Sequence, residues 1–156
     1  MRQGVTASNP TGLSQISYRY DAAGNVSGVT DGEGREVVFE YDANGNLLKD
    51  TDSAGNARSR TYNAANQLLT DTVFADPAVS RGAFSKEASL PEVTRYVYAQ
   101  GNARLLRFVV SAQGDVIEHR YDSYGQALTS IRYAGGGYNV ASLGASAVPT
   151  EAQMAT

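Results

Sequence analysis

The sequence predicts an all-β fold, an antiparallel sheet of consecutive β-hairpins, and three observations predict it. The segment Tyr41-Asp42-Ala43-Asn44-Gly45-Asn46-Leu47 recurs. Tyr20-Asp21-Ala22-Ala23-Gly24-Asn25-Val26 stands 21 residues before it and Tyr62-Asn63-Ala64-Ala65-Asn66-Gln67-Leu68 stands 21 after. Tyr121-Asp122-Ser123-Tyr124-Gly125-Gln126 is a further copy, and Tyr98 to Leu105 is a degenerate one. Next, the residues leading into each copy alternate between apolar and polar. Finally, Gly- and Asx-rich turn signals punctuate the chain twice in each period. Self-similarity at a fixed period of about 20–50 residues is the mark of a repeat architecture.

Composition fits a sheet with little three-dimensional core. Leu, Ile, Val and Phe total 31 of the 156 residues, about a fifth, while ten tyrosines supply further apolar bulk. That fraction lies near the compositional edge of disorder, but a net charge of only -3 adds little self-repulsion. Sixteen acidic against 13 basic residues, with no basic block, argue against a nucleic-acid partner. No apolar run approaches the ~18 residues of a membrane span. The chain has no cysteine, hence no disulfide framework. Its first residues lack the apolar stretch of a secretory signal.

Taken in order, residues 1–14 form an irregular lead-in and residues 15–73 hold repeats 1–3. Two and four residues before each repeat tyrosine stand Tyr18 and Ile16, Phe39 and Val37, Tyr96 and Thr94, and His119 and Ile117. Only the third copy is polar there, with Arg60 and Arg58. The other face carries Ser17, Arg19, Glu40, Ser59, Thr61, Glu118 and Arg120. A period of two with one apolar face is a half-buried strand. The expectation is that the tyrosine face packs and the opposite face meets water.

After the tyrosine, Asp or Asn starts a turn by hydrogen-bonding backbone about two residues on. Gly24, Gly45 and Gly125 supply positive φ, and Asn66 is the next-best residue for that conformation. Val26, Leu47 and Leu68 then resume the strand. A second turn falls midway, at Asp31-Gly32-Glu33-Gly34, Asp52-Ser53-Ala54-Gly55-Asn56 and Ser111-Ala112-Gln113-Gly114. The fourth copy is one residue out of phase, with Leu105 seven residues after Tyr98 rather than six. Residues 74–93 read as an insertion loop decorating one edge of the sheet, and residues 94–133 hold repeats 4–5. Residues 134–156 form a Gly-rich tail in which Pro149 opens a short helix.

The motif Tyr-Asp-x-x-Gly at Tyr20, Asp21 and Gly24, at Tyr41, Asp42 and Gly45, and at Tyr121, Asp122 and Gly125 resembles the YD (Rhs) repeat family. The resemblance covers about residues 14–133. It implies hairpins wound into the wall of a hollow shell, in large secreted or surface proteins whose bacterial members often enclose a C-terminal toxin; teneurins are the animal relatives. Tyr62-Asn63 and Tyr98-Ala99 depart from the motif by losing the Asp. A toxin-sized C-terminal domain and the cleavage region of family shells are both lacking, so neither toxicity nor self-cleavage is assigned. The function implied is a non-catalytic structural module of a larger secreted or surface protein, part of a spiral or shell. Its partners would be neighbouring repeats, self-association through strand edges, or an encapsulated polypeptide.

Other chemistries find little support. An EF-hand loop counted from Asp42 needs a bidentate Glu at its twelfth position, which is Ser53. Turn formation explains the Asp and Asn positions better than a metal does, and no cofactor site is predicted. His119 fills the aromatic position before Tyr121, with no nucleophile motif around it. Gly32-x-Gly34 and Gly135-Gly136-Gly137 lack the strand and helix that a phosphate loop requires. The alternative function is a carbohydrate- or protein-binding adhesive module that uses exposed tyrosines (Tyr18, Tyr96), Arg58 and Arg60, or the 74–93 loop. The alternative fold is a β-propeller, since two 21-residue hairpins make about one blade; no Trp-Asp signature is present.

Overall fold

The computed structural model describes residues 15–74, 91–102, 104–133 and 137–154. Ten strands and one helical turn follow in order: β1 (Ser17–Tyr20), β2 (Val26–Thr30), β3 (Glu36–Tyr41), β4 (Leu47–Asp52), β5 (Ala57–Tyr62), β6 (Leu68–Phe74), β7 (Glu92–Tyr98), β8 (Leu106–Val110), β9 (Val116–Tyr121), β10 (Ala127–Tyr133) and α1 (Glu151–Met154). The strands form a single sheet in sequence order, each antiparallel to the next, with β1 and β10 as open edges. It does not divide into propeller blades. Strands β6 and β7 extend into the range read as an insertion, where Val73 pairs with Glu92 in the sheet interior. Residues 75–90 lie outside the described residues.

Five of the turns owe their shape to one carboxylate apiece, at Asp21, Asp31, Asp42, Asp52 and Asp122. Asp42 Oδ1 accepts from the backbone N–H of Asn44 and Asn46 at 2.9 and 2.8 Å, and its Oδ2 accepts from Asn46 Nδ2 at 2.8 Å. Asp21 and Asp52 repeat these bonds to Asn25 and Asn56. Asn63 does the same through one amide oxygen, bonding Ala65 and Gln67. Where Gly45 has φ +83, Asn66 has φ +60, the one non-Gly residue with positive φ among the described residues. Asn tolerates that left-handed conformation because its short side chain hydrogen-bonds locally. The fourth turn corrects the sequence-based phase. Ala99 N–H reaches the Leu105 carbonyl and Tyr98 pairs with Leu106, so the strand resumes eight residues after the tyrosine rather than seven.

Each of these hairpins carries a β-bulge just after its turn. Tyr41 pairs with Leu47 and Glu40 with Lys49, skipping Leu48. The same skip falls at Ser27, Leu69, Arg107 and Leu128. A bulge adds one residue to one strand and sharpens the local twist. Between hairpins no shift occurs, but those ladders stop short of the turns, for example at Gly28–Val38 and Lys49–Ser59.

The core lies on the face expected to meet water. Val93, Val97, Phe108, Val110 and Val116 are buried, and so are Arg95 and Glu118. All project opposite the repeat tyrosines, because Val97 pairs with Phe108, Arg95 with Val110 and Glu118 with Phe108. The cause is the tail. After β10 the chain folds back, and Tyr138, Val140, Val148 and Met154 pack on Val97, Phe108, Val110 and Val116. Tyr138 N–H donates to the Gly114 carbonyl at 2.8 Å. A Cβ on Gly114 would strike the Tyr138 carbonyl oxygen, so glycine is required there twice over, by this approach and by φ +90. We call residues 137–154 the strap.

Val110 is fully buried beneath the strap, whereas Val38 on the same face of β3 is 37 % exposed. Val110→Ala should therefore destabilise by roughly 1.5–3 kcal/mol, the worth of burying a valine side chain, and Val38→Ala by less than about half of that. Urea unfolding of the two variants checks the difference. Equal losses would mean that the strap does not seat on β8.

Candidate functional site

A full-length aromatic side chain with a terminal hydroxyl links each hairpin after the first to the one before it. Tyr41 Oη donates to the Val26 carbonyl at 3.0 Å, Tyr62 Oη to Leu47 at 2.9 Å, Tyr98 Oη to Leu68 at 3.1 Å and Tyr121 Oη to Leu106 at 2.7 Å. Each acceptor is the residue immediately before a bulge. The bulge ends the inter-hairpin ladder early, and a half-buried carbonyl left outside the ladder needs another partner. The tyrosine hydroxyl supplies it. Bulge and tyrosine thus act as one staple, which explains why the repeat carries Tyr rather than Phe. Burial raises the pKa of the Tyr62 and Tyr98 hydroxyls, keeping them as donors at any ordinary pH.

The tyrosine face also bears a charged seam. Register sets Asp50 opposite Arg58 and Asp71 opposite Arg60. The ion pairs run diagonally instead, Arg58 to Asp71 and Arg60 to Asp50 at 2.7 Å. Hydrogen bonding to Asp71 holds Arg58 more firmly protonated. Tyr96 is half-buried beside this seam, where burial and the Asp71 charge raise its pKa. Tyr18 lies in β1, 54 % exposed, and four strands separate it from β6. The structure brings Arg58, Arg60 and Tyr96 together and leaves Tyr18 apart. His119 Nδ1 lies 2.8 Å from Ser130 Oγ.

Beneath the strap, Glu118 is the hub of a second network. Its Oε1 accepts from Arg107 Nη2 at 3.1 Å and Arg120 Nε at 3.0 Å, and its Oε2 from Arg120 Nη2 at 3.0 Å and the Tyr133 hydroxyl at 2.6 Å. Its pKa is lowered from 4.5 to about 2, chiefly by the Arg120 hydrogen bonds, then by Tyr133 and the two guanidinium charges, against the opposing effect of burial. The bulge at β8 turns Arg107 onto this face, where its Nε also meets Glu151 of α1 at 3.0 Å. Arg95 is buried among carbonyls of Ala147, Gly144 and Val93, and desolvation lowers its pKa. No group of His, Cys, Asp or Glu residues that could hold a metal occurs among the described residues.

The Teneurin YD-shell family profile matches residues 3–141. The chain belongs to the Teneurin YD-shell family. Two solved structures share the fold of this YD-shell segment. One is the crystal structure of TcdB2-TccC3-TEV, with TM-score 0.55, 20% identity, and 75% of this chain matched to 5% of that one. The other is the crystal structure of TcdB2-TccC3-Cdc42, with TM-score 0.56 and the same identity and coverage. No curated protein matches the chain. The YD-shell segment is therefore a structural repeat module, and no helix among its described residues is long and apolar enough to cross a membrane.

The strap seat was not predicted, although the sequence carries a signal for it. The residue before the repeat tyrosine is Val97 in the fourth copy but Arg19, Glu40, Thr61 and Arg120 elsewhere. Phe108 likewise stands where the earlier copies have Gly28, Lys49 and Thr70.

Tyr41→Phe should cost about 1–3 kcal/mol, because it leaves the Val26 carbonyl unsatisfied. Tyr20→Phe should be neutral, since no hairpin precedes it among the described residues. Denaturant unfolding compares them, and equal effects would remove the staple. Glu118 has a folded-state pKa below its unfolded value, so its contribution is complete above about pH 4.5 and is lost as pH falls toward about 2. Glu118→Gln should lower stability at neutral pH and flatten the acid limb of the stability–pH curve across that window. An unchanged acid limb would contradict this.

Proposed function

We propose that this YD-shell segment is a non-catalytic piece of wall in a larger secreted or surface protein, stacked between neighbouring hairpins of the same kind. The observation that carries this reading is the half-made staple at each end. Tyr20 has the repeat tyrosine's position but lies 63 % exposed at the β1 edge. Ala127 holds the acceptor position of Val26 and Leu47, and no tyrosine hydroxyl reaches it among the described residues. The exposure of Ile16, Tyr18 and Leu128 near the same edges fits hairpins that would cover them. In repeat arrays each unit is stabilised by its neighbours, and open strand edges invite further pairing.

The family resemblance extends the proposal to a shell that encloses a polypeptide, in a secreted or cell-surface setting. A staple built from turns, bulges and tyrosine hydroxyls is mechanical, and its parts are spent on structure. Tyr18 is accordingly a wall residue awaiting a preceding hairpin rather than a glycan platform.

Sedimentation velocity over a wide concentration range tests the wall reading, with far-UV circular dichroism on the same samples. The expected result is β-rich material that assembles as concentration rises. Adding one further YD hairpin ahead of residue 15 should raise the unfolding midpoint. A β-rich monomer at every concentration, with no gain from the added hairpin, would overturn the proposal.

A further inference from the structure

Strands β1 and β10 each lack one neighbour among the described residues. We propose that each edge takes the opposite edge of a second copy of this chain, β10 of one copy pairing antiparallel with β1 of the next in a fixed register. The proposal rests on the wall reading above and names the neighbour.

The junctions inside the chain set that register. Hairpins meet along β2–β3, β4–β5, β6–β7 and β8–β9. In each, the residue two past the staple's acceptor pairs with the residue three before its tyrosine: Gly28 with Val38, Lys49 with Ser59, Thr70 with Arg95 and Phe108 with Glu118. The next two pairs keep step, as Val29 with Val37 and Thr30 with Glu36. Residues as unlike as Gly28, Lys49 and Phe108 hold one position, so the rule belongs to the backbone and the staple. With Ala127 as acceptor and Tyr20 as tyrosine, it pairs Thr129 with Ser17, Ser130 with Ile16 and Ile131 with Gln15. It also brings the Tyr20 hydroxyl to the Ala127 carbonyl of the neighbouring copy. One contact completes both half-made staples.

Both edges can accept this contact. Ser17, Tyr18, Thr129 and Ser130 are exposed. The strap turns from β10 to Gly114 and packs over Phe108, Val110 and Val116, away from the outer edge of β10. Of the two strands only Arg19 and Arg132 carry charge, and Glu36 and Asp115 already hold them. The register sets Arg19 beside Ala127, at the far end of β10 from Arg132, so no like charges meet. Ile16, Tyr18 and Leu128, each more than half exposed, gain cover. Pairing β1 with β1 would set tyrosine against tyrosine, and pairing β10 with β10 would leave both acceptor carbonyls without a donor. The contact is therefore heterologous, the kind that propagates from copy to copy.

The chain has no cysteine of its own, so engineered ones report the contact. Cβ atoms directly opposite in an antiparallel pair lie about 4.5–5.5 Å apart, close to the span of a disulfide. Full-length Ser17→Cys is mixed with Thr129→Cys, and Ile16→Cys with Ser130→Cys, under mild oxidation and run on a non-reducing gel. Each matched mixture should give about tenfold more cross-linked dimer than either variant alone. Ser17→Cys mixed with Ser130→Cys should give about tenfold less than the matched mixtures, because those side chains point to opposite faces. Tyr20→Phe should weaken association in sedimentation velocity about three- to tenfold, the worth of one hydrogen bond. No cross-link in either matched mixture, single variants that link as well as the mixtures, or association indifferent to Tyr20→Phe would each overturn the proposal. If an added hairpin ahead of residue 15 still raised the unfolding midpoint, the wall reading would stand without it.

Discussion

A hydrogen bond from a tyrosine hydroxyl to the carbonyl before a bulge is the constraint on which the array depends. A regular hairpin stack would pair every inter-strand carbonyl through its ladders. Here the bulge after each turn within a hairpin bends the strand, and the ladder between hairpins ends early. The orphaned carbonyl at Val26, Leu47, Leu68 or Leu106 then meets a hydroxyl carried by the next hairpin. Bulges increase local twist, so the staple lets the sheet bend at every repeat without stranding a polar group. A twisted, single sheet follows from that coupling.

A single-layer sheet has no core of its own, and the molecule shows where one can be added. The strap turns the fourth repeat and the start of the fifth into a two-layer structure, with Val110 fully buried under it. Elsewhere the sheet is largely half-buried through β2 to β5, exposed at its β1 and β10 edges, and buried at Thr70, Asp71 and Thr72 of β6. Its cohesion comes from staples, turn carboxylates and the crossed Arg58–Asp71 and Arg60–Asp50 pairs. Such cross-strand pairs contribute about 0.2–1 kcal/mol each, so the array is held by many small local terms. A sheet of this kind gains from every neighbour that covers an edge.

Much of this was legible in the sequence. The period, turns, strand order and left-handed Asn66 follow from local chemistry written in each copy. The staple was half legible: the tyrosine's recurrence was plain, but its acceptor depends on a bulge, and a bulge leaves no mark on the alternation of residue types. Burial was misread in the fourth and fifth repeats because the opposite face was judged from Ser17, Arg19, Glu40 and Thr61. The apolar substitutions at Val97, Phe108 and Val110 signalled a local cover, and reading them required comparing copies position by position. Glu118 illustrates why residue type alone misleads. A carboxylate on a supposedly wet face is buried because two arginines and a tyrosine meet it there.

The measurement that bears most directly on the staple is the hydroxyl hydrogen-exchange rate of each tyrosine, read from the deuterium isotope shift on its ring Cζ. Tyr41, Tyr62, Tyr98 and Tyr121 should exchange slowly, each held on a carbonyl of the preceding hairpin, while Tyr20 and Tyr124 exchange as fast as free tyrosine. Uniformly fast exchange would show that the hydroxyls are not held, and the hairpins would then be joined by their ladders alone.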